Sequence, residues 1–137
     1  MPPKRLPAGD PVLLRTDFSN DEAWRSIVAA ATATNDDGFS ANVQSLDDPG
    51  WSALTAKDVR DLHKGDEERA VAFVVDASTV DDSAHPILCI DLLGKKLRTF
   101  RVIPAELWSV ENNLSIGNMD WKDFVAALDS EGVFRGF

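Results

Sequence analysis

Apolar and polar positions follow several distinct rhythms along the chain. Val12-Leu13-Leu14-Arg15-Thr16 is a short apolar run ending at Asp17. Ser19-Asn20-Asp21-Glu22 follows in the pattern of a capping box, with Ser19 and Glu22 answering each other's amides. The reading is a strand and then a helix. Trp24, Ile27, Val28 and Ala31 recur at helical spacing and share one face, and Asn35-Asp36-Asp37-Gly38 stops the helix. Residues 39–46 alternate, with Phe39, Ala41 and Val43 on one side and Ser40, Asn42 and Gln44 on the other, which predicts an edge strand with one wet face. Asp47-Asp48-Pro49-Gly50 turns the chain, and Thr55 with Asp58 caps a second short helix carrying Val59 and Leu62.

The rhythm then changes. Residues 70–75 and 87–90 are apolar at consecutive positions, so both are strands covered on both faces. The polar connection between them, containing Asp81-Asp82-Ser83, is too short for a crossover helix and makes them antiparallel. Gly94-Lys95-Lys96 turns into a further strand over residues 99–103. Pro104 opens a helix over residues 105–111, residues 112–118 form a polar loop, and Trp121, Phe124, Val125 and Leu128 mark a last helix. Two phenylalanines in the terminal Gly132-Val133-Phe134-Arg135-Gly136-Phe137 are expected to dock.

This order predicts a single α/β domain over residues 11–137, with a mixed five-stranded sheet and helices on both faces. Right-handed crossovers give the strand order 2-1-3-4-5 if the third strand lies beside the first. A thioredoxin-like arrangement is the alternative, although no Cys-x-x-Cys accompanies it. Residues 1–10, with three prolines and a glycine, read as a flexible lead-in.

Charge sharpens the picture. The formal net charge is -9, and residues 35–91 account for all of it, with thirteen acids against four bases between two balanced flanks. Such a balance argues against free nucleic acid as a ligand, since phosphate binding needs clustered cations. Asp47, Asp48, Asp58, Asp61, Asp66, Glu67 and Glu68 are the candidate partner-binding residues, able to steer a basic protein into contact if they share one side. No stretch of the length and apolarity of a membrane span occurs, and no apolar segment follows the first charges, so a cytoplasmic location is expected. One cysteine, Cys89, fits that compartment.

Candidate chemistry is sparse. Asp17 and Asp76 end neighbouring parallel strands at the switch point of the expected sheet, where open α/β sheets place ligands. As catalytic or metal-binding candidates they would hold Mg²⁺ or attack phosphate; as structural residues they cap and turn. His63 and His85 are the only histidines, which excludes a multi-histidine metal site. His63, near a helix end, is expected to meet terminal carbonyls, and Cys89, in the most apolar strand, to be inert core. Lys95, Lys96, Arg98 and Arg101 gather around one hairpin and are expected to blunt an edge or pair with the acidic middle. No glycine-rich phosphate loop or nucleophile-elbow string is present, and no cofactor is expected.

Residues 100–115, with Trp-Ser-Val-Glu-Asn-Asn-Leu-Ser at 108–115, then Asn118-Met119-Asp120-Trp121 and the terminal Gly-Val-Phe-Arg-Gly-Phe, resemble a family of small uncharacterised actinobacterial proteins, a domain of unknown function. Residues 12–19 and 73–76 are similar to the same family. The resemblance implies a cytoplasmic bacterial domain and assigns no catalytic residue. Asn112, Asn113 and Asn118 either satisfy loop backbone or line a polar recognition surface. The function expected from all this is a non-enzymatic acidic interaction module of inhibitor or immunity type. The alternative is a small Mg²⁺-dependent enzyme acting on a phosphorylated substrate.

Overall fold

The computed structural model describes residues 5–137; residues 1–4 of the expected lead-in lie outside the described residues. Six strands form one mixed sheet. β1 (Val12–Arg15) lies between β2 (Gln44–Leu46) and β3 (Val71–Val75), parallel to both. β4 (Ile87–Asp91) runs antiparallel to β3, β5 (Thr99–Val102) antiparallel to β4, and β6 (Val133–Phe134) parallel to β5. The spatial order is β2-β1-β3-β4-β5-β6, the first of the two expected architectures with one strand added at its end.

Two helical crossovers between parallel strands explain the layers. α1 (Asp21–Thr32) links β1 to β2, and its Trp24, Ile27 and Ala31 pack with Leu13, Phe73 and Cys89 on one face of the sheet. α2 (Ala56–Leu62) links β2 to β3, and its Val59 joins Val12, Leu14, Ala72 and Val74 on the other face. A 3₁₀ turn at Pro49–Trp51 adds Trp51 to that second layer. The β3 strand is buried at every position because both layers meet it. Burying a side chain such as Phe73 fully contributes about 1.5–3 kcal/mol, so this strand anchors the domain.

Local chemistry sets the element ends. The α1 cap is Asn20, whose side chain accepts from Ala23 N at 3.0 Å, not Ser19, which donates instead to Asp17. Thr55 and Asp58 form the expected reciprocal capping box of α2. A one-turn helix, α3 (Ala77–Asp81), rises from Asp76 inside the β3–β4 connection. It is too short to cross the sheet, so the antiparallel pairing stands.

Two expectations are corrected together. Strand β2 begins at Gln44, not Phe39, and the helix after Pro104 runs as α4 (Leu107–Ser115), through the first four residues of the expected loop over 112–118. Residues 39–42 are taken up by α4: Phe39 stacks on Trp108 with centroids 4.8 Å apart, Glu111 accepts Asn42 N at 2.5 Å, and Asn112 Nδ2 donates to Ser40 O at 3.1 Å. A segment bonded to a helix by its backbone cannot also pair in a ladder. α5 (Trp121–Val125) then packs Trp121 and Phe124 against Phe100, and Phe134 of β6 meets Phe124 edge-on at 5.1 Å. Arg69 donates to the carbonyls of Gly9 and Asp10, and Gln44 Nε2 to those of Ala8 and Asp10.

Candidate functional site

At the C-terminal ends of β1 and β3 an open pocket of about 580 Å³ is lined by Thr16, Asp17, Ser19, Ala53, Asp76 and Ser78. This is the switch point of the sheet, where the crossovers diverge to opposite faces and leave a crevice. Both candidate carboxylates reach it. Asp17 Oδ1 accepts from Ser19 N at 3.0 Å and from Ser19 Oγ at 2.5 Å. Ala53 lines the pocket with φ of 62°, in the left-handed region, while its amide donates to Thr16 O at 2.9 Å.

Asp76 is differently placed. Leu88 of β4 pairs with Val74 of β3 on one side and with Arg101 of β5 on the other, so Arg101 can reach over β4 to the end of β3. Its Nη1 donates to Asp76 Oδ1 at 2.9 Å and to Pro86 O at 3.0 Å, and its Nη2 donates to Asp76 Oδ2 at 2.8 Å. Thr79 N adds a bond to Oδ1 at 3.1 Å. Burial raises the Asp76 carboxyl, yet the Arg101 guanidinium and the Thr79 amide together hold it below the ordinary carboxylate range. A bidentate guanidinium already supplies the positive charge that a hard cation would bring, so Mg²⁺ at Asp76 would have to displace Arg101. Among the described residues, no group of three or more His, Cys, Asp or Glu is placed to hold a metal ion.

The histidines and the cysteine serve the fold. His63 is buried, with Nδ1 2.8 Å from Val59 O, and His85 Nδ1 lies 2.9 Å from Thr79 O. Cys89 is fully buried, and that burial pushes its thiol well above the ordinary value, which leaves it a poor nucleophile.

The acidic segment is partly committed to internal bonds. Asp47 accepts from the buried Arg15 at 3.1 Å, Asp48 caps the 3₁₀ turn through Gly50 N at 2.8 Å, and Asp58 caps α2. Asp61 pairs with Lys57 at 2.8 Å, and Asp66 accepts from Glu68 N at 3.0 Å and Arg69 Nη1 at 3.4 Å. Glu67 and Glu68 are exposed, and their carboxylates have no partner among the described residues. The three asparagines divide similarly. Asn112 serves Ser40, while Asn113 donates to Ser109 O at 2.8 Å and accepts from Asn118 Nδ2 at 2.8 Å. Among the hairpin cations Arg98 and Arg101 do pair with the acidic middle, through Asp91 and Asp76, whereas Lys95 and Lys96 stand exposed.

Two residues escape a reading by sequence alone. Arg101 is indistinguishable from its neighbouring cations until the order β3-β4-β5 is known. Glu111 sits in a polar string with no local sign that it is buried, though an acid at the apolar spacing of Leu107, Val110 and Leu114 is the available hint.

No helix among the described residues is long and apolar enough to cross a membrane. A search of curated proteins finds no match to the chain. A family model matches residues 10–137, a span that takes in every strand and helix described above, and the chain therefore belongs to that family, a domain of unknown function (DUF6924).

Proposed function

We propose that the domain works by binding a basic protein, as an inhibitor or immunity-like module, and not by turning over a substrate. The observation that carries this reading is the segment spanning residues 47–68, which holds seven acids against three bases and ends in the exposed carboxylates of Glu67 and Glu68, without partners among the described residues. Capping and ion pairing keep Asp58 and Asp61 ionised, since the Thr55 amide and the Lys57 ammonium each hold their partner's carboxyl below the ordinary value. A cluster of fixed negative charge steers a basic partner and disfavours an acidic one. The Mg²⁺-dependent enzyme is the weaker reading because Arg101 occupies Asp76. A cytoplasmic, actinobacterial setting belongs to the same proposal, supported by the single buried cysteine and by the terminal sequence strings.

The test is affinity capture from native cells with the full chain and its E67K/E68K variant, at low and high salt. A partner retained by the native chain at low salt, and lost both at high salt and with the variant, is the expected result. Equal retention by both proteins would overturn the proposal.

A further inference from the structure

The two edges of the sheet are finished differently. At the β6 edge, Gly132 O accepts from Arg101 N at 3.1 Å and Phe134 O from Ile103 N at 3.2 Å, so the amide and carbonyl of Val133 between them point outward. Asp129 closes that edge. Its carboxylate accepts from Val133 N at 3.0 Å, and its own amide donates to Val133 O at 2.9 Å.

The β2 edge has no such closure. Gln44 N donates to Pro11 O at 2.9 Å, and the register of Val12 on Gln44 and Leu14 on Leu46 keeps Gln44 and Leu46 turned towards β1. The amide and carbonyl of Ser45 therefore face away from the sheet. Neither has a hydrogen-bond partner among the described residues, and Ser45 is exposed. Alternation turns the backbone of Val43 and Asp47 to the same open side. Residues 43–47 include neither the lysine nor the proline that blunts many free edges.

The charges that border this edge in solvent are acidic. Asp10, exposed, stands at its N-terminal end, where its carbonyl accepts from Gln44 Nε2 at 3.0 Å; Asp47, with 49% of its side chain exposed, stands at the other end. The cations bonded to these two residues are buried. Arg15 is shared between Asp47 and Asp21, and Arg69 donates to Asp10 O and pairs with Asp66.

We propose that β2 takes up an extended, basic segment of a partner protein as a seventh strand of the sheet. Ser45 N–H and C=O bond its backbone, and its lysine or arginine side chains meet Asp10 and Asp47. The inference rests on the basic partner of the proposed function and names the edge that receives it. A second copy of the chain fits less well. Two β2 edges paired antiparallel about a two-fold axis would set Asp47 of one copy towards Asp10 of the other, acid against acid between chains of net charge -9.

The test uses the full ¹⁵N-labelled chain and three synthetic peptides: alternating Lys and Val, the same sequence N-methylated at every residue, and the same sequence with Glu replacing Lys. The basic peptide is expected to shift the Ser45 amide and slow its hydrogen exchange. N-methylation should abolish both effects while leaving the protein untouched. Ser45→Pro removes the outward amide without costing a bond to β1, and should weaken the basic peptide about five- to tenfold. E67K/E68K should keep the response at Ser45. Shifts confined to other regions, equal binding of the N-methylated or Glu peptide, or full binding by Ser45→Pro would overturn the proposal. Self-association abolished by Ser45→Pro would also overturn it, by assigning the edge to a second copy. The two readings fail separately: a captured basic partner that Ser45→Pro holds as tightly as the native chain removes the added strand and leaves the function, whereas a response at Ser45 with no basic partner captured from cells removes the function and leaves the edge.

Discussion

His63 shows how one side chain couples this fold to pH. It ends α2 with Nδ1 against Val59 O, which fixes the neutral tautomer with its proton on Nδ1, while Nε2 is buried without a hydrogen-bond partner among the described residues. Burial, reinforced by the neighbouring Arg69, pushes its pKa below the ordinary imidazole value against the opposing pull of Val59 O and Asp66. The unfolded chain therefore takes up the proton first as pH falls. The stability tied to neutral His63 is complete above about pH 6.5 and drains away towards the lower folded value, by at most about 1.4 kcal/mol per pH unit. Thermal melts between pH 7 and 5 should fall more steeply for the native protein than for His63→Leu. Asp76 and the other depressed carboxylates titrate lower and do not confuse that window. Parallel profiles would remove His63 from this role. The contact with a terminal carbonyl was legible from the position of His63 at a helix end; its burial was not, because that depends on the segment leading to Arg69.

At the scale of elements, the shortened β2 and the lengthened α4 have one cause. Asn112 and Asn113 favour loops because their side chains compete for backbone partners, and residues 39–46 alternate as a strand should. Each local preference is overridden by the other segment. Glu111 is the centre of that exchange, 2% exposed and accepting both Asn42 N at 2.5 Å and Asn112 Nδ2 at 3.0 Å. Glu111→Ala would strand the Asn42 amide and open a space beside Trp108, at a cost of about 1–3 kcal/mol for the unsatisfied donor. Chemical denaturation should register that loss, and hydrogen exchange at Asn42 should accelerate more than at Leu13. Unchanged exchange at Asn42 would mean that Glu111 does not hold the segment. α3 and β6 were illegible for a different reason, since five and two residues are too few to establish a period.

For the whole molecule, the order of the first five strands was legible because consecutive apolar runs name the central strands and crossover handedness does the rest. The result divides the core into two layers that share the sheet. The first layer is broad, with α1, α4 and α5 over Leu13, Phe73 and Phe100; the second rests on α2 and the 3₁₀ turn, with Leu6 and Leu54 packed beside them. Alternate residues of β1 and β3 serve opposite layers, so Val12 and Leu14 cannot lose their cover without disturbing the strands that also present Leu13 and Phe73. This linkage predicts a single cooperative transition despite the thin second layer. Val59→Ala tests it, because Val59 is completely buried at the centre of that layer. The substitution should cost about 1–2 kcal/mol, the lost transfer energy plus a residual cavity, softened by the better helix propensity of alanine. Urea midpoints read by tryptophan fluorescence, which reports Trp24 and Trp121 in the first layer and Trp51 in the second, should shift together with those from far-ultraviolet circular dichroism. A variant whose two probes separate would show that α2 can leave while the α1 layer stays folded, and the shared sheet would then not be what makes the domain cooperative.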